Sequence, residues 1–403
     1  MSPPHVSPIA LVLAGGAARG AYEVGVVQYL LEDVAKAVGF DLPIDILCGT
    51  SIGAINACAL AAFAHEPRAR AARLAKVWGD LRLEELVKPD LRGIVSLGTT
   101  WLRGEREGGL VDPAGLERLV RTIIPFAAID DNLRAGRLEA LTVSTTHIAS
   151  GRTVVFVHRR DRTLPPWSLD PTIAPRAVQI GPEHAFASAA IPLLFRAVRI
   201  DGELHCDGGL RQNVPLSPAR RLGARGVIVV NPRYIPRPEE PHPPRNEPEA
   251  FAGPSFLLGK TLNALLLDRI DTDLARLESI NEILEAGRVR YGADFADEIN
   301  AALGRPKGRG MRSMRSILVR ASADIGRLAT EYVRSPKFAA RVTGSAAKVL
   351  RRIADRDPTG ESDLLSYLLF DGEFAGRLIE VGRADARARH DELCRFFTDP
   401  PLP

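Results

Sequence analysis

The chain has 403 residues, 45% of them apolar and 25% charged, with a net charge of +4. Mean hydropathy is near zero, which excludes a disordered, collagen-like or membrane-spanning chain and predicts a globular protein with a large core. Four cysteines without a CxxC pair fit neither a disulfide scaffold nor a structural zinc site, so a reducing, cytoplasmic setting is expected.

From the amino end, Met1 to Pro8 offers neither a basic nor an apolar signal segment, and no secretory leader is expected. Residues 9–14 form an apolar run that ends in Gly15-Gly16-Ala17-Ala18-Arg19-Gly20, and 21–38 read as a helix. Backbone amides at such a strand–turn–helix junction point at an anion. A dinucleotide fingerprint has the same order of elements. It would need Gly at 17, and the second strand would have to end at an acidic residue rather than Cys48. An oxyanion hole fits better.

The next strand, 44–48, runs into Gly49-Thr50-Ser51-Ile52-Gly53 and a helix of small residues. Strand, G-x-S-x-G and helix together describe a nucleophile elbow, in which a tight turn exposes the serine hydroxyl above the sheet edge. Gly49 and Gly53 let the turn close, and the amide of Ile52 lies at the positive end of the helix. The most apolar stretch, Ile52 to Ala64, is broken by Gly53 and Asn56 and falls short of the ~18 to 20 residues a transmembrane helix needs.

Further strands are expected at 138–145, 153–157, 198–200 and 227–230. The alternation of strands with helical patterns predicts a three-layer α/β domain with a central, mostly parallel sheet. Before the last of these lies Leu204-His205-Cys206-Asp207-Gly208-Gly209-Leu210-Arg211-Gln212-Asn213-Val214-Pro215. An acid at a strand end followed by two glycines is a candidate general base for Ser51, or an Asp-Gly turn and nothing more. A Ser-His-Asp triad would draw on His205, His242 or His390. Only one strand precedes the elbow strand, unlike an α/β-hydrolase, and neither His242 nor His390 has a strand-end context like that of Asp207.

Residues 232–255 carry eight prolines and read as a linker or exposed loop. They separate a catalytic domain, 1–231, from a helical C-terminal region, 256–403. Within that region Arg305 to Arg352 holds thirteen Lys or Arg against only Asp324 and Glu331. On a helical wheel Arg312, Arg320, Arg327 and Arg334 fall within about 80° of arc, with Met314, Ile317, Leu318, Ile325, Leu328 and Tyr332 opposite. A basic amphipathic helix is therefore expected, either packed on the main domain or drawn to an anionic membrane. Nucleic acid is not expected as a partner, because no aromatic residues interleave with the arginines.

Taken in order, GGAARG, GTSIG and DGGLRQNVP resemble the glycine-rich, elbow and Asp-Gly-Gly motifs of bacterial patatin-like phospholipases, over about residues 9–231. Ala187 to Phe195 resembles a stretch that family carries between elbow and aspartate. Leu365 to Ala386, with Tyr367, Phe370, Asp371 and Phe374, resembles more loosely a C-terminal stretch of its members. The resemblance implies a lipid acyl hydrolase with a Ser51–Asp207 dyad and no metal or organic cofactor. It implies an oxyanion hole from Gly15, Gly16, Ala17 and Ile52, and supporting roles for Arg19, Gly20, Gly49, Gly53, Gly208 and Gly209. Ala17 replaces the family's third glycine. Acyl transfer to an alcohol, or lipid binding without catalysis, are the alternatives. A carboxylate near pKa 4 is a weak base for serine, so the dyad needs desolvation and a pre-aimed oxyanion hole.

Overall fold

The computed structural model describes residues 8–86, 88–89, 111–112, 114–167, 170–192, 194–236, 257, 259–261, 270–305, 310–356 and 362–399. His242 and most of the 232–255 segment lie outside the described residues. Nine strands make the main sheet: β1 (Ile9–Leu13), β2 (Ile46–Thr50), β3 (Ala140–His147), β4 (Thr153–Arg159), β5 (Ile173–Ala177), β6 (Val198–Ile200), β7 (Glu203–Asp207), β8 (Gly226–Asn231) and β9 (Arg315–Arg320). Their order is β9-β8-β1-β2-β3-β4-β5, with β7 paired to the end of β3 and β6 paired to β7. The five strands from β9 to β3 run parallel. β4 turns back against β3, and β7 is antiparallel to it.

A strand buried on both faces must be apolar at every position, which is why 9–13 and 226–230 show no alternation in sequence. Side chains still alternate in direction. Leu11, Leu13, Leu47, Ile228 and Val230 enter the larger core, whereas Ala10, Val12, Ile46, Cys48, Val227 and Val229 enter a smaller one on the other face. Helix α1 (Gly20–Tyr29), α2 (Ile52–Ala62), α3 (Ala69–Gly79), α4 (Ala114–Ile123), α5 (Pro182–Ala189), α6 (Ile325–Arg334), α7 (Asp363–Leu368) and α8 (Gly372–Ala388) pack in the larger core. Leu216 and Ala219 of a short helix, with Ile270 and Leu277 of the long helix Ile270–Tyr291, cover the other. The result is the expected three-layer α/β arrangement around a mostly parallel sheet, with further helices at the carboxyl end. None of the described helices is long and apolar enough to cross a membrane.

The C-terminal region shares this core. β9 extends the sheet beside β8, and α8 crosses α1 so closely that a Cβ on Gly25 would stand 2.0 Å from the Ile379 carbonyl oxygen and one on Gly382 would stand 2.2 Å from that of Tyr22. Only glycine fits at either point.

The basic amphipathic helix does not exist as one element. Residues 315–320 are the strand β9, and α6 begins only at Ile325. Ile317 and Val319 face the larger core, so the Arg-Ser-Ile-Leu-Val-Arg run is a sheet edge whose short apolar pattern also satisfies a helical wheel. The four arginines do not line one face. Arg312 donates to the Arg220 carbonyl at 2.5 Å, Arg320 to both oxygens of Asp271 at 2.8 and 2.9 Å, and Arg334 to the Ala354 carbonyl at 2.5 Å. Arg327 faces Glu331 at 3.7 Å. A membrane-facing role for these arginines loses the helix on which it rested.

Candidate active site

β2 delivers Ser51 to its carboxyl end with φ +55° and ψ −128°, a left-handed conformation that costs a non-glycine residue roughly 1–3 kcal/mol. Close packing holds it there. A Cβ on Gly49 would meet the Gly53 oxygen at 2.4 Å, and one on Gly53 would meet the Leu13 oxygen at 2.4 Å. A side chain at Gly49 would push α2 off β2, and one at Gly53 would push α2 off the end of β1. The Ser51 N–H donates to Ser188 Oγ at 2.8 Å, and Ser188 donates onward to the Ser144 carbonyl at 2.6 Å. Ser188, on α5, thus fixes the elbow from across the site.

Register places the acid. Thr50 pairs with Ser144 across β2 and β3, and the next residue, Thr145, pairs with Asp207 across β3 and β7. Asp207 therefore lies one step along from Ser51, and Ser51 Oγ donates to Asp207 Oδ2 at 2.6 Å. The other carboxylate oxygen accepts from the Gly209 amide at 2.7 Å. Gly208 is needed because a Cβ there would stand 2.3 Å from the Ser144 oxygen. Ser51 and Asp207 are both buried. Burial pushes the Asp207 carboxyl up to about 7, against the opposing pull of its bonds from Ser51 and Gly209.

Of the oxyanion-hole candidates, Gly15 donates its amide to the Asn213 carbonyl at 3.2 Å, so in this structure that N–H ties the loop down instead of facing Ser51. Its lack of a Cβ still matters, since one would stand 2.3 Å from Asn213 Oδ1 and 3.0 Å from Ser51 Cβ. Among the described residues none accepts a hydrogen bond from the amides of Gly16, Ala17 or Ile52. Ala17 sits at φ +49°, where the family's glycine would be unstrained. Gly20 approaches Ile52, with room for no side chain.

Arg19 is buried and reaches out of the loop into the C-terminal region. It donates to Ser366 Oγ and Asp363 Oδ1, both at 2.8 Å, and its guanidinium lies 4.2 Å above the Tyr367 ring. Lys260 also pairs with Asp363, at 2.9 Å. Asp363 and Ser366, like Ser188, were not singled out by motif. The only signal near them was the family likeness of Ala187 to Phe195 and of Leu365 to Ala386.

No described histidine bonds to the dyad. His205 Nδ1 pairs with Thr145 Oγ1 at 3.0 Å, and burial lowers its pKa to about 4, so it is neutral near pH 7. His390 meets the Tyr29 hydroxyl at 3.0 Å.

A protein-family model described as patatin-like phospholipase matches residues 11–220. Among curated proteins the chain is similar to patatin-like phospholipase domain-containing protein 7 of Mus musculus, at 26% identity over 231 residues, and to that of Rattus norvegicus, at 28% over 225 residues. In each case 55% of this chain matches only 13% of the relative, so the chain spans a small part of the length of these curated relatives. Among solved structures, that of VipD from Legionella pneumophila aligns over 90% of this chain and 67% of its own, with 13% identity and a TM-score of 0.31.

Proposed function

Because the chain belongs to the patatin-like phospholipase family, we propose that it hydrolyses carboxylic esters of lipids through an acyl-enzyme on Ser51, with Asp207 as the only protein base. The observation that carries this reading is the 2.6 Å bond from Ser51 Oγ to Asp207 Oδ2 on a strained elbow. As Ser51 Oγ attacks the ester carbonyl, its proton passes to Asp207 Oδ2, and the carbonyl oxygen becomes an oxyanion. The amides of Gly16, Ala17 and Ile52 are the donors for it, assisted by the positive end of α2. Collapse of the intermediate breaks the bond to the alkoxy oxygen, which takes the proton back from Asp207 and leaves as the alcohol. Water then attacks the acyl-enzyme while Asp207 accepts its proton. Collapse of this second intermediate breaks the bond to Ser51 Oγ, which takes the proton back from Asp207, and the fatty acid is released.

A carboxyl group near pKa 7 suits both halves of this cycle, being basic enough to take a proton and acidic enough to return it. The test is labelling with a fluorophosphonate and hydrolysis of a p-nitrophenyl ester by wild type and Ser51→Ala. Labelling or turnover that survives in the variant removes Ser51 from the mechanism.

A further inference from the structure

An apolar cavity of about 40 Å³ opens between α2, α3 and α4. It starts one residue from the nucleophile. Ile52, Ile55, Asn56 and Ala59 all line it, and this i, i+3, i+4, i+7 spacing is one face of α2. At 1.5 Å per residue the lined face runs about 10 Å away from Ser51.

The one polar side chain on that face is already committed. The Asn56 amide donates to the Gly20 carbonyl at 3.1 Å and to Glu23 at 2.9 Å, and its oxygen accepts from Trp78 Nε1 at 3.1 Å. The cavity therefore offers a ligand only hydrocarbon contact.

Its depth can be read from two contacts. Trp78 meets Asn56 near the start of α2, and Arg70 meets the Leu60 carbonyl at 3.4 Å near its end, so α3 runs antiparallel to α2. Leu74, one turn before Trp78, therefore stands beside Ala59 at the deep end. Phe370 of the C-terminal region stacks on Trp78, with ring centres 6.2 Å apart, and completes the wall.

Resting on the hydrolase reading above, we propose that this cavity receives the acyl chain of the ester and that Ala59 and Leu74 set the length it accepts. The acyl chain is the part that belongs there. Neither Ser51 nor Asp207 lines the cavity itself, but its wall begins at Ile52, the residue bonded to the serine that would carry the acyl group, whereas no residue of the Asp207-Gly208-Gly209 turn, from which the leaving alcohol would take its proton, belongs to it. The cavity of about 40 Å³ exceeds the roughly 10–15 Å³ of a single water site but is far smaller than the cavity of about 150 Å³ that takes one benzene. The preferred acyl group is then short, about four to six carbons counting the carbonyl.

The experiment measures kcat/KM of the full chain for p-nitrophenyl esters from acetyl to dodecanoyl, with the alcohol constant, in wild type, Ala59→Leu and Leu74→Ala. Wild type should be fastest on butanoyl or hexanoyl. Leu74→Ala should raise the octanoyl-to-butanoyl ratio by about tenfold, and Ala59→Leu should lower the hexanoyl-to-acetyl ratio by at least as much, the range a methylene or two commands in an apolar pocket. If Ala59→Leu does not fold, Ala59→Val tests the same direction. A wild-type optimum at decanoyl or longer, or an unchanged length profile in folded variants, overturns the proposal while Ser51-dependent hydrolysis leaves the hydrolase reading standing. Absence of Ser51-dependent hydrolysis or labelling overturns both.

Discussion

The two loops that meet at the site are held in opposite ways. The elbow is fixed by its own neighbourhood: the glycines at 49 and 53, the end of β1, and one hydroxyl from Ser188. The glycine-rich loop after β1 is fixed from far along the chain, by Arg19 reaching Asp363 and Ser366 under the ring of Tyr367. The conformation of Ser51 is thus set within the first 231 residues, whereas the glycine-rich loop, which under the proposed reaction would present its amides to an oxyanion, is tied to the C-terminal region. A fragment ending near residue 231 would keep the first and lose the second. Such a fragment would also leave β8 without its parallel partner β9 and uncover α1 where α8 now lies.

The largest effect lies in the locally built half. Asp207→Asn keeps the shape but removes the base, and should lower kcat by on the order of 10³-fold or more, by analogy with triad bases. His205→Ala and His390→Ala should each retain most activity. A histidine substitution as damaging as Asp207→Asn, in a folded protein, would break the dyad reading.

The pH profile sharpens the same point. With Asp207 titrating near 7, kcat/KM should rise through neutrality, reaching about one-tenth of its plateau at pH 6 and about nine-tenths at pH 8. Stability moves the other way. The unfolded carboxyl ionises near pH 4 and the folded one near 7, so the folded state loses stability as pH rises between these values. Relative to wild type, Asp207→Asn should gain in melting temperature across that window and hold the gain above it. A rate profile already flat at pH 5 to 6 would place the working pKa well below 7.

Much of this local half was legible in the sequence, and for a physical reason. A strand followed by G-x-S-x-G concentrates its constraints within a few residues, and continuous apolar runs announce parallel strands buried on both faces. The DGG motif marked Asp207, but its partnership with Ser51 depends on the β2–β3–β7 register, which no local pattern encodes. β9 was missed because Ile317 and Leu318 fit a helical wheel as well as a strand, while Val319, which falls on the arginine side of that wheel, was the sign against it. Arg19 to Asp363 spans 344 positions, and neither residue type at that distance signals the other. Desolvation of the carboxyl could be asked for from the sequence but not located in it, because the burial comes from elements scattered over the chain.

A middle-sized effect tests the distant clamp. Arg19→Ala should lower kcat by about 10- to 100-fold with KM little changed, the loss anticipated when a positioning group is removed and a loop drifts by an ångström or less. Asp363→Asn should act in the same direction. The double variant should lose less than the sum of the two single losses, since both substitutions break the Arg19–Asp363 pair. Fluorophosphonate labelling of Ser51 should slow but persist, because the elbow does not depend on the clamp. Strictly additive losses would show that Arg19 and Asp363 act separately.

The smallest effect concerns the basic stretch. Arg320 Nη2 donates to both oxygens of Asp271, whose side chain is more than half exposed, so the pair is screened and contributes less than about 1 kcal/mol. Arg320→Gln should lower the melting temperature by about 2 °C or less, since a chain of this size spreads a small loss over a large unfolding entropy. Hydrolysis of a soluble ester should be untouched, because β9 lies three strands from β2 at the sheet's edge. Binding to phosphatidylglycerol vesicles at low salt should match wild type, because the guanidinium is occupied within the fold. A tenfold loss of vesicle binding with unchanged melting would show instead that Arg320 leaves Asp271 for lipid phosphate, and would return the basic stretch to a membrane-facing role without the helix first expected of it.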